Sequence, residues 1–190
     1  MSQPVTKTTL PRFDGLSLLG LIAVAILIGA AMGVVNGVLV NVIQINSFIA
    51  TLASSIVFRG IAILVTGGMI VTVTDERFSF LGTETLLGAK YTVWVFALVI
   101  LATSFLLTRT TLGRYFYAVG GNARAARLSG VPVGRVRTIA FVISGLSAGI
   151  AGVLAASRTS SAQPDLGMDL ALQAISASAV RGTGVMGGRG

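Results

Sequence analysis

The side chains able to do chemistry in this sequence are few, and most of them are arginines. Residues 109–137, RTTLGRYFYAVGGNARAARLSGVPVGRVR, hold six arginines and no acid. A guanidinium is planar, permanently charged and forked, so its natural work is to pair with carboxylate or phosphate groups on a partner. Residues suited to acid–base or nucleophilic catalysis are scarce. There is no Cys and no His, and the six acids are Asp14, Asp75, Glu76, Glu84, Asp165 and Asp169. Thiolate nucleophiles, imidazole bases, disulfides and metal sites built on those ligands are therefore excluded. No acid lies inside an apolar run, which removes an intramembrane carboxylate relay. We expect no catalytic residue, no metal and no cofactor held by this chain, and no enzymatic activity.

The basic stretch has an internal pattern. Asn122 follows Gly120 and Gly121, and an Asn side chain caps a helix by accepting a free backbone N–H of its first turn. Residues 123–129, Ala123, Arg124, Ala125, Ala126, Arg127, Leu128 and Ser129, are helix-permissive. Gly130 suits the left-handed position after a helix, and Pro132 prevents its continuation. A helix of about two turns is too short to stand alone in water and must be held by its flanks or docked on a surface. The residue types alone leave a second reading open, a solvated basic loop whose arginines set membrane topology or touch anionic lipid.

The elements that position this stretch are apolar. The chain is 54% hydrophobic and 11% charged, with a mean hydropathy of +0.89; soluble domains carry about 25% charged residues. It reads as an integral membrane protein. The net charge of +8 does not indicate nucleic acid, because the cations lie in loops between apolar spans and no basic face with interleaved aromatics occurs. Residues 91–108 and 138–157 flank the basic stretch, and each is about the length of a bilayer-spanning helix. Cationic loops beside spans stay on the cytoplasmic side, so the basic stretch is expected there.

Residues 1–14 read as a polar tail and 16–40 as the first apolar segment, too long for a signal-peptide core. Gly29, Gly33 and Gly37 recur four apart on one face of that segment, and Ser144, Gly145, Ala148, Gly149, Gly152 and Ala155 make a similar face later. Small residues at this spacing let helix backbones approach closely in lipid. Asn36 and Asn41, near the end of the first segment, each need a hydrogen-bond partner or water.

The second segment, 45–65, is interrupted by Arg59-Gly60. An arginine at mid-span costs about 2.5–3.5 kcal/mol on insertion scales. It escapes by snorkelling, by facing a water-filled path or by a break near Gly60. Residues 67–90 read as an outer loop with short β-like alternation, after which Tyr91 and Trp94 anchor the next span at the interface. If 91–108 run inward and both earlier segments span, the amino-terminal tail lies outside, although it carries Lys7 and Arg12. Either the second segment is re-entrant or broken, or further helices precede the chain. Residues 158–168 read as a second outer loop, and 169–180 as a weakly apolar helix too short to span. The chain then ends in RGTGVMGGRG.

Several stretches carry a resemblance. GGNARAARLSGV (120–131) followed by SGLSAGIAGVLAASRTSSAQP (144–164) resembles the permease subunits of ribose/xylose-type ABC sugar importers. NGVLV (36–40), SFIATL (47–52), FRGIA (58–62), LGRYFYAVGGN (112–122) and the glycine-rich run 182–190 agree. The resemblance begins near residue 30 and continues to the end. Departures are Ala171 and Gln173 where the family has an acidic pair, Arg181 where it has a glycine, and no I-P-x-P-like turn around 88–92.

The resemblance implies an all-α, polytopic helical membrane protein, here with a broken or re-entrant segment. Residues 15–190 would be part of an importer permease domain. It implies a short cytoplasmic coupling helix (Gly121 to Gly130 with its caps) seated in a groove of ATPase subunits, which bind the ATP. Ala125 and Ala126 would allow close approach, and Arg124 and Arg127 would pair with partner acids. It further implies a second permease copy, an extracytoplasmic sugar-binding protein, surrounding lipid and a bacterial inner-membrane location. Polar residues in or beside spans, Asn36, Asn41, Thr51, Arg59 and Ser144, are candidates to line the path, with helix–helix hydrogen bonding as their alternative role. Gly29, Gly33, Gly37, Gly145 and Gly149 are expected at helix contacts. Family members are nearly twice as long, so the chain is expected to be a fragment. The alternative function is a truncated remnant that inserts without transporting. A membrane enzyme is disfavoured by the absence of His, Cys and buried carboxylates.

Overall fold

The computed structural model describes residues 15–73, 78, 82, 84–86, 88–164, 167, 173, 174, 176 and 177. The polar tail 1–14, five of the six acids (Asp14, Asp75, Glu76, Asp165 and Asp169), Ala171, Arg181 and the glycine-rich run 182–190 lie outside the described residues, as does most of the expected weak helix 169–180.

The described chain is helical, with two minimal strand pairs. Its helices are α1 (Gly15–Ile43), α2 (Ser47–Thr66), α3 (Tyr91–Arg109), α4 (Thr111–Leu128) and α5 (Val133–Thr159). All but α4 are long and apolar enough to cross a membrane, at 25, 20, 19 and 27 residues for the qualifying parts of α1, α2, α3 and α5. A crossing needs about 20 residues at 1.5 Å each. This is an all-α polytopic membrane protein.

α1 leads into α2 through a tight corner. Gln44 takes a left-handed backbone, φ 55°, which ends α1, and the Asn46 side chain accepts the Phe48 N–H at 2.9 Å to start α2. α2 then runs unbroken to Gly67, whose positive φ of 61° closes it. The break or re-entrant turn expected at Arg59-Gly60 does not occur. In lipid every freed backbone group needs a new partner, and that cost outweighs the roughly 1 kcal/mol helix penalty of one glycine. Arg59 sits half-buried on this continuous helix.

α1 and α5 form the core contact, and they run antiparallel. Gly29 faces Gly145, Gly33 faces Phe141 and Val142, Gly37 faces Thr138, and Gly149 faces Ala25 and Ile26. As the number falls on one helix it rises on the other, through about three turns. A Cβ on Gly29 would strike the Gly145 carbonyl, and one on Gly37 would lie 2.8 Å from the Thr138 Cα. At Gly29 and Gly145 backbone meets backbone because neither residue carries a side chain to intervene.

The remaining connections sort to two ends. At one end lie the α1–α2 corner and the basic stretch 109–137. At the other, β1 (Val71–Thr72) pairs antiparallel with β4 (Ser161–Ala162), in register Val71↔Ala162 and Thr72↔Ser161. There too β2 (Thr85–Leu86) and β3 (Ala89–Lys90) form a hairpin leading into α3, turned by Gly88 at φ 80°. Ser157, fully buried, donates to the Phe78 carbonyl and ties the loop after α2 to the end of α5. Little else is inside: α3 buries no residue, and Leu64, Val65 and Leu101 are all at least 70% exposed, as expected of surfaces meant for lipid or for other helices.

Candidate functional site

The basic stretch is more helical than its composition suggests. Thr110 breaks α3 from α4 and serves both: its hydroxyl donates to the Leu106 carbonyl at 2.6 Å and accepts the Gly113 N–H at 3.2 Å. Gly113 permits the sharp corner, because a Cβ there would collide with the Leu107 carbonyl. Residues 111–121, expected as loop, are the first part of α4. The missed signal was Thr110 followed three residues later by a glycine that must pack against the preceding helix.

Asn122 then kinks α4, with non-helical φ −155° and ψ 98°. Its Oδ1 accepts the N–H groups of Arg124 and Ala125, both at 3.0 Å, which starts a separate short helix. That helix closes on Ser129, whose N–H donates to the Ala125 carbonyl at 3.0 Å. Gly130 follows at φ 83°, and the Val131 N–H reaches back to the Ala126 carbonyl at 3.0 Å. Both capping residues thus sit where the sequence pattern puts them.

The short helix has two unlike faces. Ala126 is 6% exposed and buried where α4 meets α5, as are Val133 and Val136 at the start of α5. Arg124, Ala125, Arg127 and Leu128 are exposed, Leu128 at 85%. Residues i, i+3 and i+4 share a helix face, so Arg124, Arg127 and Leu128 form one outward patch of two cations and an apolar side chain. The expectation that both alanines present a close-approach surface is corrected here: Ala125 is outward, but Ala126 is spent on the helix's own anchorage.

The polar span residues fall into separate groups. Ser54 donates to Asn36 Oδ1 at 2.5 Å, joining α2 to α1, and its hydroxyl also lies 3.0 Å from the Thr51 carbonyl. Thr51 itself bonds within α2, to the Ser47 and Phe48 carbonyls. Asn41 Nδ2 donates to the Gly134 carbonyl and to Thr138 Oγ1, each at 2.8 Å, joining α1 to α5. Ser144 is exposed on α5. Ser54 and Thr138 were not singled out from the sequence. Thr138 sits where polar sequence meets an apolar run, and Ser54 about two turns inside α2, where an interhelical hydrogen bond is sheltered. No three His, Cys, Asp or Glu side chains converge among the described residues.

A family model described as "Branched-chain amino acid transport system / permease component" matches residues 4–188, so the likeness starts well before residue 30. The ribose import permease protein of Escherichia coli strain K12 is 40% identical over 173 residues, 89% of this chain and 54% of its own length. The L-arabinose ABC transporter permease protein of Azospirillum brasilense is 42% identical over 167 residues, 88% of this chain and 49% of its own. The D-allose transport system permease protein of Escherichia coli strain K12 is 36% identical over 165 residues, 87% and 51%. The chain spans about half the length of the curated relatives it matches. No solved structure matches.

Proposed function

This chain belongs to the family of branched-chain amino acid transport system permease components, and from that membership we propose that it is a membrane-spanning subunit of an ATP-driven sugar importer of a bacterial inner membrane. The observation that carries the sugar assignment is the 36–42% identity to permeases named for ribose, L-arabinose and D-allose. Three pentoses or hexoses on one sequence pattern argue for a monosaccharide as cargo.

In this reading the basic end faces the cytoplasm, in line with its six uncompensated arginines. The antiparallel contact of α1 with α5 then puts the amino end of α1 outside. α2 runs outward, α3 inward and α5 outward, so every described connection falls on a consistent side. The continuity of α2 supports a spanning second segment in this reading.

The patch of Arg124, Arg127 and Leu128 is the surface offered to the ATPase subunits. Guanidinium groups pair with partner carboxylates, and Leu128 supplies the apolar contact. Movement received there passes through the buried Ala126, Val133 and Val136 into α5, and through the glycine contact into α1. A second permease copy completes the path, and an extracytoplasmic sugar-binding protein delivers to the end that carries the β1–β4 pair. Asn36 and Asn41 act as interhelical ties, while Ser144 and Arg59 are candidates for the path.

The test is uptake. In cells, co-expression with an ATPase subunit and a sugar-binding protein of the same importer class should give ATP-dependent accumulation of at least one labelled aldopentose or aldohexose. Accumulation of branched-chain amino acids with none of these sugars would overturn the cargo assignment.

A further inference from the structure

A groove of about 400 Å³ opens between α3, α4 and α5 at the basic end of the bundle. Its walls are apolar, with Leu106 and Leu107 from α3, Phe116 and Val119 from α4, and Ala140 and Ile143 from α5; the one ionisable residue on it is Arg137. Along α5 the lining runs from Val136 to Ile143, about 10 Å of helix. A cation thus stands at the level where the spans end, and the walls beneath it are hydrocarbon.

Two facts say what fits. Arg137 has no anionic partner among the described residues, whose one acid, Glu84, lies at the opposite end of the bundle. Arg109, Arg114 and Arg135 belong to the same six-arginine, acid-free stretch as Arg137, so the basic end of the bundle carries an excess of positive charge. An occupant therefore needs an anionic head and an apolar tail side by side. Guanidinium binds a phosphate oxygen pair through a planar fork, and juxtamembrane cations attract anionic headgroups by about 1 kcal/mol each. We infer that this groove is a binding site for an anionic phospholipid, with the phosphate at Arg137 and the start of one acyl chain along Leu106, Phe116 and Ile143.

The site has a consequence for the fold around it. α4 forms one wall, and the same helix continues through the Asn122 kink into the short helix carrying Arg124 and Leu128. A lipid wedged between α4 and α5 braces the base on which that helix stands. The inference depends on the basic end lying at a membrane surface, and not on which solute the protein carries.

The test is retention of lipid by the purified protein in detergent, followed by native mass spectrometry. Phosphatidylglycerol and phosphatidylcholine with identical acyl chains are the probes. Phosphatidylglycerol should be retained at least tenfold better, Arg137→Gln should abolish the preference, and Arg135→Gln, off the groove, should leave it in place. Ala140→Trp should lower retention of both lipids by filling the groove. Glycerol phosphate, the headgroup without tails, should not displace the bound lipid at equal concentration. Equal retention of the two lipids would overturn the inference. So would equal losses from Arg135→Gln and Arg137→Gln, which would mean a diffuse cationic surface, or displacement by glycerol phosphate, which would mean a phosphate site alone. If Ala140→Trp proves unfolded by circular dichroism, the exposed Arg137 and Arg135 variants decide the matter.

Discussion

Gly29 of α1 and Gly145 of α5 oppose each other so closely that a Cβ on either would strike the other's carbonyl oxygen. In lipid no hydrophobic drive separates one helix pairing from another, so van der Waals packing at such contacts decides the association. Gly20, on the same helix, has nothing within 4 Å of its Cβ position. Gly29→Leu should therefore separate α1 from α5, while Gly20→Leu should be tolerated. Overpacking of a tight contact costs about 1–3 kcal/mol or more, which should appear as a clear drop in the thermal midpoint in detergent for Gly29→Leu alone. Matching midpoints for the two variants would mean that the contact does not hold the pair together.

A second prediction concerns Asn41, whose amide bridges to both Gly134 and Thr138. Interhelical hydrogen bonds in membranes are worth about 0.6 kcal/mol on average and up to about 1.7. A double-mutant cycle of Asn41→Ala and Thr138→Val should give a coupling energy in that range. Thr138→Val leaves Asn41 its bond to the Gly134 carbonyl, so that single substitution should cost less than Asn41→Ala, which removes both bonds. Strict additivity of the two changes would show that the bridge contributes nothing.

What the sequence disclosed followed from what each pattern depends on. The glycines at 29, 33 and 37 were legible because a four-residue repeat marks one helix face whatever it packs against. Gly145 was legible for the same reason, but its pairing with Gly29, and the partners Phe141 and Thr138, were not, because pairing depends on which helices meet. Asn122 and Gly130 were legible because capping is local chemistry. The inward turn of Ala126 was not, since a helix of about two turns does not reveal which side its anchor lies on. At Arg59-Gly60 a break was one of three ways to relieve a mid-span arginine, and the demand for continuous backbone hydrogen bonding keeps α2 unbroken. For Asn36 and Asn41 residue type left two roles open, and only the positions of Ser54 and Thr138 reveal the interhelical bonds.

The absence of cysteine makes orientation directly measurable. Thr85, in the hairpin before α3, and Ala125, on the short helix, are both exposed and lie at opposite ends of the bundle. In intact cells a membrane-impermeant maleimide should label Thr85→Cys and spare Ala125→Cys until the cells are opened. The reverse pattern would place the basic end outside and would remove both the proposed orientation and the proposed ATPase contact.

The last prediction separates docking from anchorage on the short helix. Arg124, Arg127 and Leu128 point outward, whereas Ala126 is buried against its own chain. Ala126→Glu would force a carboxylate into that buried contact, so its effect should register first as lost stability of the protein itself. Burial of an unpaired charge is among the few changes that cost several kcal/mol. The combined change Arg124→Glu, Arg127→Glu and Leu128→Ser leaves the anchorage alone. It should keep the thermal midpoint within a few degrees yet strip the ATPase from the co-purified complex. Arg124→Ala alone should do little, since an exposed ion pair is worth about 0–1 kcal/mol. Asn122→Ala should fall between, because losing the cap costs about 1 kcal/mol and loosens the helix without altering its outward face. If the triple variant retains the ATPase as well as the unaltered protein does, the outward patch is a solvated basic surface and the coupling role assigned to it is wrong.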